Sequence, residues 1–346
     1  MPGPPNPIRS RRGASANLLE ELANRVVGQP QAMQQIVPYV QMHRAGLAPE
    51  GRPAGVFLLL GPTGTGKTRT VEALAEVLHG SERSLLRVDC GEFQMDHEVA
   101  KLIGAPPGYL GHRETQPLLT QQKLSSVTSE ACNLSLVLFD EIEKAAASMT
   151  RLLMGVLDKA ILRLGDNTSV NFERSLIFLT SNLGAEAMRR ALHPDFGFEA
   201  MVAQPGKSGS AKLASIGMEA VKRRFPPEFV NRIDAVIAYR PLEPPLLSEI
   251  LDQQIAALER HIANRLEERA FDLDIQDDAR TWLLRKGTSP EFGARELKRT
   301  ILRHLIQPLA ALVETGRVRP GSVVTVTASE DGEGLNLIPE QGVELG

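Results

Sequence analysis

The sequence predicts an α/β protein: a parallel sheet covered by helices, then a smaller, mostly helical C-terminal domain with a short strand pair. Three observations carry that prediction. Short apolar runs alternate with segments of helical periodicity between residues 56 and 239. A glycine-rich turn joins the first such run to the first such helix, and after Pro241 long amphipathic patterns replace the strands. Strands alternating with helices are the pattern of a parallel sheet built from crossover units.

Each element has its own signal. From residue 16 to about residue 44 the pattern is helical, broken at Gly28-Gln29-Pro30. Residues 56–60 form a continuous apolar run, as a strand buried on both faces requires. In the helix after the glycine turn, Val71, Leu74, Ala75 and Leu78 recur at i, i+3, i+4 and i+7. Residues 85–88, 136–139, 176–180 and 235–239 read as further strands. Beyond a boundary near residues 240–244, residues 246–269, 277–286 and 294–315 read as helices, and 323–327 with 335–338 as a final strand pair. Residues 182–212 form a long stretch without strong periodicity, the kind of loop that is functional or disordered. The expected organisation is a disordered Pro/Gly/Arg-rich tail over 1–15, a large domain over 16–240 and a small domain over 241–346.

Composition excludes several classes. With 42% hydrophobic and 23% charged residues the chain has an ordinary globular makeup. A net charge of −3 gives no whole-chain attraction to nucleic acid phosphates. No apolar run approaches the ~20 residues needed to span a bilayer, and the first residues lack the apolar core of a secretory signal. A cytoplasmic protein is expected, with neither nucleic acid nor membrane as partner. Cys90 and Cys132 are too few for a disulfide framework and have no metal-ligand spacing, so buried free thiols are expected.

The chemistry starts at Gly61-Pro62-Thr63-Gly64-Thr65-Gly66-Lys67-Thr68, which fits G-x-x-x-x-G-K-[ST] without mismatch. The glycines let the backbone curl so that successive N–H groups meet phosphate oxygens, and the helix that follows adds its positive end. Lys67 is expected to reach the β- and γ-phosphates and the Thr68 hydroxyl to take a magnesium position. The strand over 136–139 runs into Asp140-Glu141. Asp140 can hold magnesium through water, and Glu141 can polarise the attacking water as general base. The strand over 176–180 ends at Ser181-Asn182, where an amide can orient the same water.

With these residues in order, the chain resembles the AAA+ ATPases of the Clp unfoldase and disaggregase family, most of all the second ATPase module of ClpB, ClpC and ClpA. The motifs that carry the resemblance are VVGQ at 26–29, GPTGTGKT at 61–68, GAPPGYLG at 104–111, LFDEIEKA at 138–145, TSNLG at 180–184, FPPEFVNRID at 225–234 and FGARELKR at 292–299. The resemblance implies ATP as the nucleotide, with Val26 and Val27 lining the adenine pocket. It implies that Asn182 is a sensor, that Arg232 is an arginine finger acting on the ATP of a neighbouring subunit, and that Arg295 is a second sensor on the γ-phosphate. A finger worth ~10³–10⁵ in rate, supplied in trans, implies a homo-oligomeric ring, expected to be a hexamer.

Tyr109 and Leu110 lie between Gly108 and Gly111, where glycines preclude regular packing. In the resembled family this loop lines a central pore and its aromatic grips an extended, unfolded or aggregated polypeptide. A flat amphipathic ring can contact any chain, so a sequence-tolerant grip is physically reasonable. His112 to Pro117 depart from the family pattern and bear on pore preference. The resemblance also leads us to expect a free-standing single-ring motor. Phe196-Gly197-Phe198 stands where relatives that feed a ClpP-type peptidase carry an apolar-Gly-apolar docking tripeptide; a loop pinned to its own domain is the alternative. A nucleotide-gated assembly switch without threading is the competing function.

Overall fold

A computed structural model of the chain describes residues 18–104, 117–192, 208–289 and 292–340. It comprises two compact units. One holds the residues up to Pro62 and from Gly66 to Arg240; the other holds Thr63–Thr65 and the residues from Pro241.

The first unit opens with α1 (residues 18–23) and α2 (Pro30–Arg44). The break between them is where the sequence places it, because Pro30 lacks an N–H and suits a first helical turn. Then follow β1 (Gly55–Leu60), α3 (Lys67–His79), β2 (Leu86–Asp89), α4 (Val99–Ile103), α5 (Gln121–Ser126) and β3 (Ser135–Asp140). The remainder is α6 (Ala147–Lys159), β4 (Ile161–Arg163), β5 (Ser169–Asn171), β6 (Ser175–Ser181), α7 (Ala185–Leu192), α8 (Ser208–Arg224), α9 (Pro227–Val230) and β7 (Ala235–Ala238).

The five-stranded sheet has the order β2-β3-β6-β1-β7, and every neighbouring pair is parallel. The continuous apolar runs are explained by two cores, one on each face. Val56, Leu58, Leu60, Val137 and Phe139 enter one core, and Phe57, Leu59, Leu136 and Leu138 the other. Period two along a strand that is covered on both sides leaves no polar position. The order matters for chemistry: β6 lies between β1 and β3, so the C-terminal ends of all three open side by side.

The second unit contains α10 (Pro244–Leu266), β8 (Asp272–Ile275), α11 (Asp277–Gly287), α12 (Ala294–Ile301), α13 (Gln307–Glu314), β9 (Val323–Ala328) and β10 (Leu335–Pro339). Its core gathers Leu251 and Ile255 of α10, Trp282 and Leu283 of α11, Leu297 of α12 and Val326 of β9.

Three elements differ from the sequence expectation. The final strand pair is a three-stranded sheet, because β8 adds in parallel to β9. Its segment DLDI alternates apolar and acidic residues over only four positions, too few for the period to stand out beside a long helix. The helix expected over 294–315 changes pitch through a π turn at Leu302–Ile306. Pro308, in the first turn of α13, has no N–H to donate back to residue 304, and widening the preceding turn accommodates that gap. In the expected long loop, α7 and the start of α8 are helical.

Candidate active site

The phosphate-loop motif leaves β1 at a position only glycine can occupy. Gly61 has φ +148°, and a Cβ there would lie 2.7 Å from the carbonyl oxygen of Tyr239. At the far end Gly66 has φ +101° and precedes α3, which no side chain caps. An uncapped helix start behind a glycine turn is the arrangement in which an anion serves as the cap. A buried relay fixes that glycine: the Tyr239 hydroxyl donates to Thr70 Oγ1 (2.8 Å), and Thr70 donates to the Gly66 carbonyl (3.0 Å). Burial pushes the Tyr239 hydroxyl well above the usual tyrosine range, so it stays a neutral donor.

Lys67 is buried and its ammonium meets three oxygens. Nζ donates to the Gly61 carbonyl (2.6 Å), the Pro62 carbonyl (2.9 Å) and Asn182 Oδ1 (2.8 Å). Lys67 is thus tied to the residue just past β6, the strand beside β1. Asn182 is itself oriented, since its N–H donates to Glu143 Oε1 at 3.0 Å.

The two carboxylates at the end of β3 are organised by one hydroxyl. Thr180, buried in β6, donates to Asp140 Oδ1 and accepts from the Glu141 N–H at 3.0 Å. The other oxygen of Asp140 accepts from Arg87 at 2.5 Å. Glu141 adopts φ 56°, ψ 49°, a left-handed conformation that costs a non-glycine residue about 1–2 kcal/mol. Its carboxylate pairs with Lys144 Nζ at 2.5 Å, and that contact holds the Lys144 ammonium above the usual lysine range. Burial, then the charge of Asp140 and its neighbours, pushes the Cys90 thiol far up, so this cysteine is inert. Both cysteines are buried and free, as expected.

The donor set suits magnesium. Magnesium favours hard oxygen ligands, keeps several waters and is held by one or two carboxylates together with substrate phosphates. Asp140 and the Thr68 hydroxyl are such donors. Among the described residues no group of three His, Cys, Asp or Glu side chains forms a protein-only metal cage.

The other expected site residues are distributed as follows. Val26 is buried and Val27 half-buried in the turn between α1 and α2; Thr68 is half-buried in the first turn of α3. Pro62, Thr63, Gly64 and Thr65 complete the loop, with Thr65 buried. Arg232 follows α9, where Nε lies 3.3 Å from Asp158 Oδ1 and Nη1 donates to the Glu228 carbonyl. Arg295 is exposed in the first turn of α12. Tyr109, Leu110, Phe196, Gly197 and Phe198 lie outside the described residues.

Sequence reasoning missed Thr180, Lys144 and Arg87. Lys144 had a signal in its i+3 spacing from Glu141. Thr180 had only its place one strand over, and Arg87 only its charge inside an apolar run.

The fold and this site define a phosphate-loop module of the AAA class. Residues 52–236 match the AAA domain (Cdc48 subfamily), over half of the chain, and the protein belongs to that family. Within it, the chain is a ClpB-like second ATPase module: residues 242–326 match the C-terminal, D2-small domain of ClpB protein. The chain is 39% identical over 319 residues to the chaperone protein ClpB of Corynebacterium diphtheriae, covering 92% of this chain and 33% of that protein. To the ClpB of Rhodopseudomonas palustris it is 39% identical over 312 residues, 89% of this chain and 32% of the relative. It therefore spans about a third of the length of these relatives. Among solved structures, S. cerevisiae Hsp104 in complex with casein superposes with a TM-score of 0.77 at 26% identity, over 96% of this chain and 54% of that one. Hsp104 with ATPγS and FITC-casein gives the same score over 95% and 52%. No described helix is long and apolar enough to cross a membrane.

Proposed function

We propose that this chain hydrolyses ATP to ADP and phosphate and uses the cycle to unfold polypeptides drawn through the pore of a homo-oligomeric ring. The observation that carries the reading is the convergence at three adjacent strand ends: Lys67 on Asn182 Oδ1, and Asp140 with Glu141 on the Thr180 hydroxyl. The likeness to ClpB and to Hsp104 complexes with casein supports polypeptide as the substrate.

In this reading the loop from Pro62 to Thr68 wraps the triphosphate, and the Lys67 ammonium exchanges its carbonyl partners for phosphate oxygens. Thr68 and, through water, Asp140 would hold magnesium, which would neutralise phosphate charge when bound. Glu141 takes a proton from the attacking water once its carboxylate leaves Lys144, and Asn182 orients that water. Val26 and Val27 line the base. Arg232 completes the site of the next subunit in a ring, a hexamer in our reading, and Arg295 senses the γ-phosphate. Tyr109 and Leu110 hold the polypeptide.

The test is casein-stimulated ATPase activity in the wild type and in Glu141→Gln. Stimulated turnover in the wild type, with ATP bound but unhydrolysed in the variant, is expected. Normal turnover in Glu141→Gln would remove Glu141 as base, and a rate indifferent to unfolded protein would oppose the unfoldase reading.

A further inference from the structure

In the proposed reading Asp140 would accept a hydrogen bond from metal-bound water, and Thr180 alone would not fix the direction in which it does so. The Asp side-chain torsion that sets the carboxylate plane is broad, so one hydrogen bond to Oδ1 leaves the plane free to swing. A second donor on the opposite oxygen removes that freedom. Arg87 supplies it: Nη2 lies 2.5 Å from Asp140 Oδ2, while Nη1 lies 4.0 Å from Glu72 Oε1 on α3. The planar fork of arginine thus links the acid at the end of β3 to the helix that starts at the phosphate loop.

The local sequence explains the reach. In β2, Val88 is buried whereas Arg87 and Asp89 face outward, and Arg87 stands in register with Leu138, two residues before Asp140. Only a long side chain spans that offset. Each Asp140 oxygen can accept two hydrogen bonds, so one direction per oxygen remains for water after Thr180 and Arg87 are satisfied. The Arg87 side chain is 51% exposed and the Asp140 side chain 13%. The arginine thus keeps part of its hydration and does not bury the acid away from a ligand.

We propose that Arg87 is a positioning residue for magnesium, acting through Asp140. The inference rests on the reading of Asp140 as the metal's carboxylate. Partners of this kind, one step removed from a metal, are typically worth 10–100-fold in metal affinity. The test is equilibrium binding of a fluorescent N-methylanthraniloyl ATP, titrated with MgCl2 and repeated in EDTA. Arg87→Ala is expected to raise the magnesium midpoint about tenfold while its affinity in EDTA matches wild type. Arg87→Lys is expected to recover part of the shift, since a single ammonium can meet Asp140 but cannot also reach Glu72.

An unmoved midpoint, a lowered midpoint (Arg87 competing with the metal) or equal weakening with and without magnesium (a structural role) would each overturn the proposal. Asp140→Asn separates the two levels. If it leaves the wild-type midpoint in place, the metal role of Asp140 fails. If it shifts the midpoint and Arg87→Ala does not, the positioning role of Arg87 alone fails.

Discussion

Lys67 Nζ donates to Asn182 Oδ1 across 2.8 Å, joining the phosphate loop to the end of the neighbouring strand. That contact gives Asn182 a defined place beside the phosphate loop, and the two residues are expected to divide binding from hydrolysis. Lys67→Ala is expected to abolish detectable ATP binding in a fluorescence titration. Asn182→Ala is expected to retain affinity within a few-fold and to lower kcat by about 10²–10³, the usual cost of one oriented polar group at a reacting centre. If the two variants behave alike, the division is wrong.

Thr180 is the hinge pin of the acid pair. Its hydroxyl serves Asp140 and the Glu141 N–H together, in a buried position. Thr180→Val keeps the volume and strands both partners, with an expected stability loss of about 1–3 kcal/mol in denaturant unfolding and a matching fall in hydrolysis. Thr180→Ser keeps the hydroxyl and is expected to retain most of both. Equal behaviour of Val and Ser would show that the hydroxyl is idle.

Much of this was legible in the sequence, and the reason is the period. The strands buried on both faces announce themselves as unbroken apolar runs, and the loop motif follows the first of them. The acids at 140 and 141 were legible because they end such a run. What was illegible depends on the third dimension. That Thr180 serves both acids follows from β6 lying beside β3, which no local pattern states. The pairing of β8 with β9 joins segments nearly fifty residues apart. The π turn lies just before Pro308, and the apolar pattern over residues 294–315 reads through it as helix.

The buried phenol of Tyr239 makes an alkaline prediction. Its pKa lies above the ordinary tyrosine value near 10 because burial disfavours the phenolate. The folded state therefore holds a proton that the unfolded state releases above about pH 10. The stabilisation is complete below that pH and declines as pH rises. Stability is expected to fall more steeply above pH 10 in the wild type than in Tyr239→Phe, as measured by urea unfolding at stepped pH. Below it, Tyr239→Phe loses the hydrogen bond to Thr70, worth about 1 kcal/mol. Parallel pH profiles would contradict the assignment.

Arg232 is held within its own chain by Asp158 and the Glu228 carbonyl, and in the proposed ring it completes the site of the next subunit. Arg232→Ala is expected to bind ATP normally and not hydrolyse it. Mixed with Lys67→Thr, it is expected to regain part of the activity, because each variant supplies the half the other lacks. A mixture as inactive as its components would argue against a shared site.

In the function proposed above, ATP hydrolysis at the strand ends moves a polypeptide held by Tyr109. The most direct measurement follows ATPase rate and the unfolding of a fluorescent protein substrate side by side in wild type and Tyr109→Ala. The variant is expected to hydrolyse ATP at close to the wild-type basal rate and to leave the substrate folded. Substrate unfolding by Tyr109→Ala at the wild-type rate would contradict it.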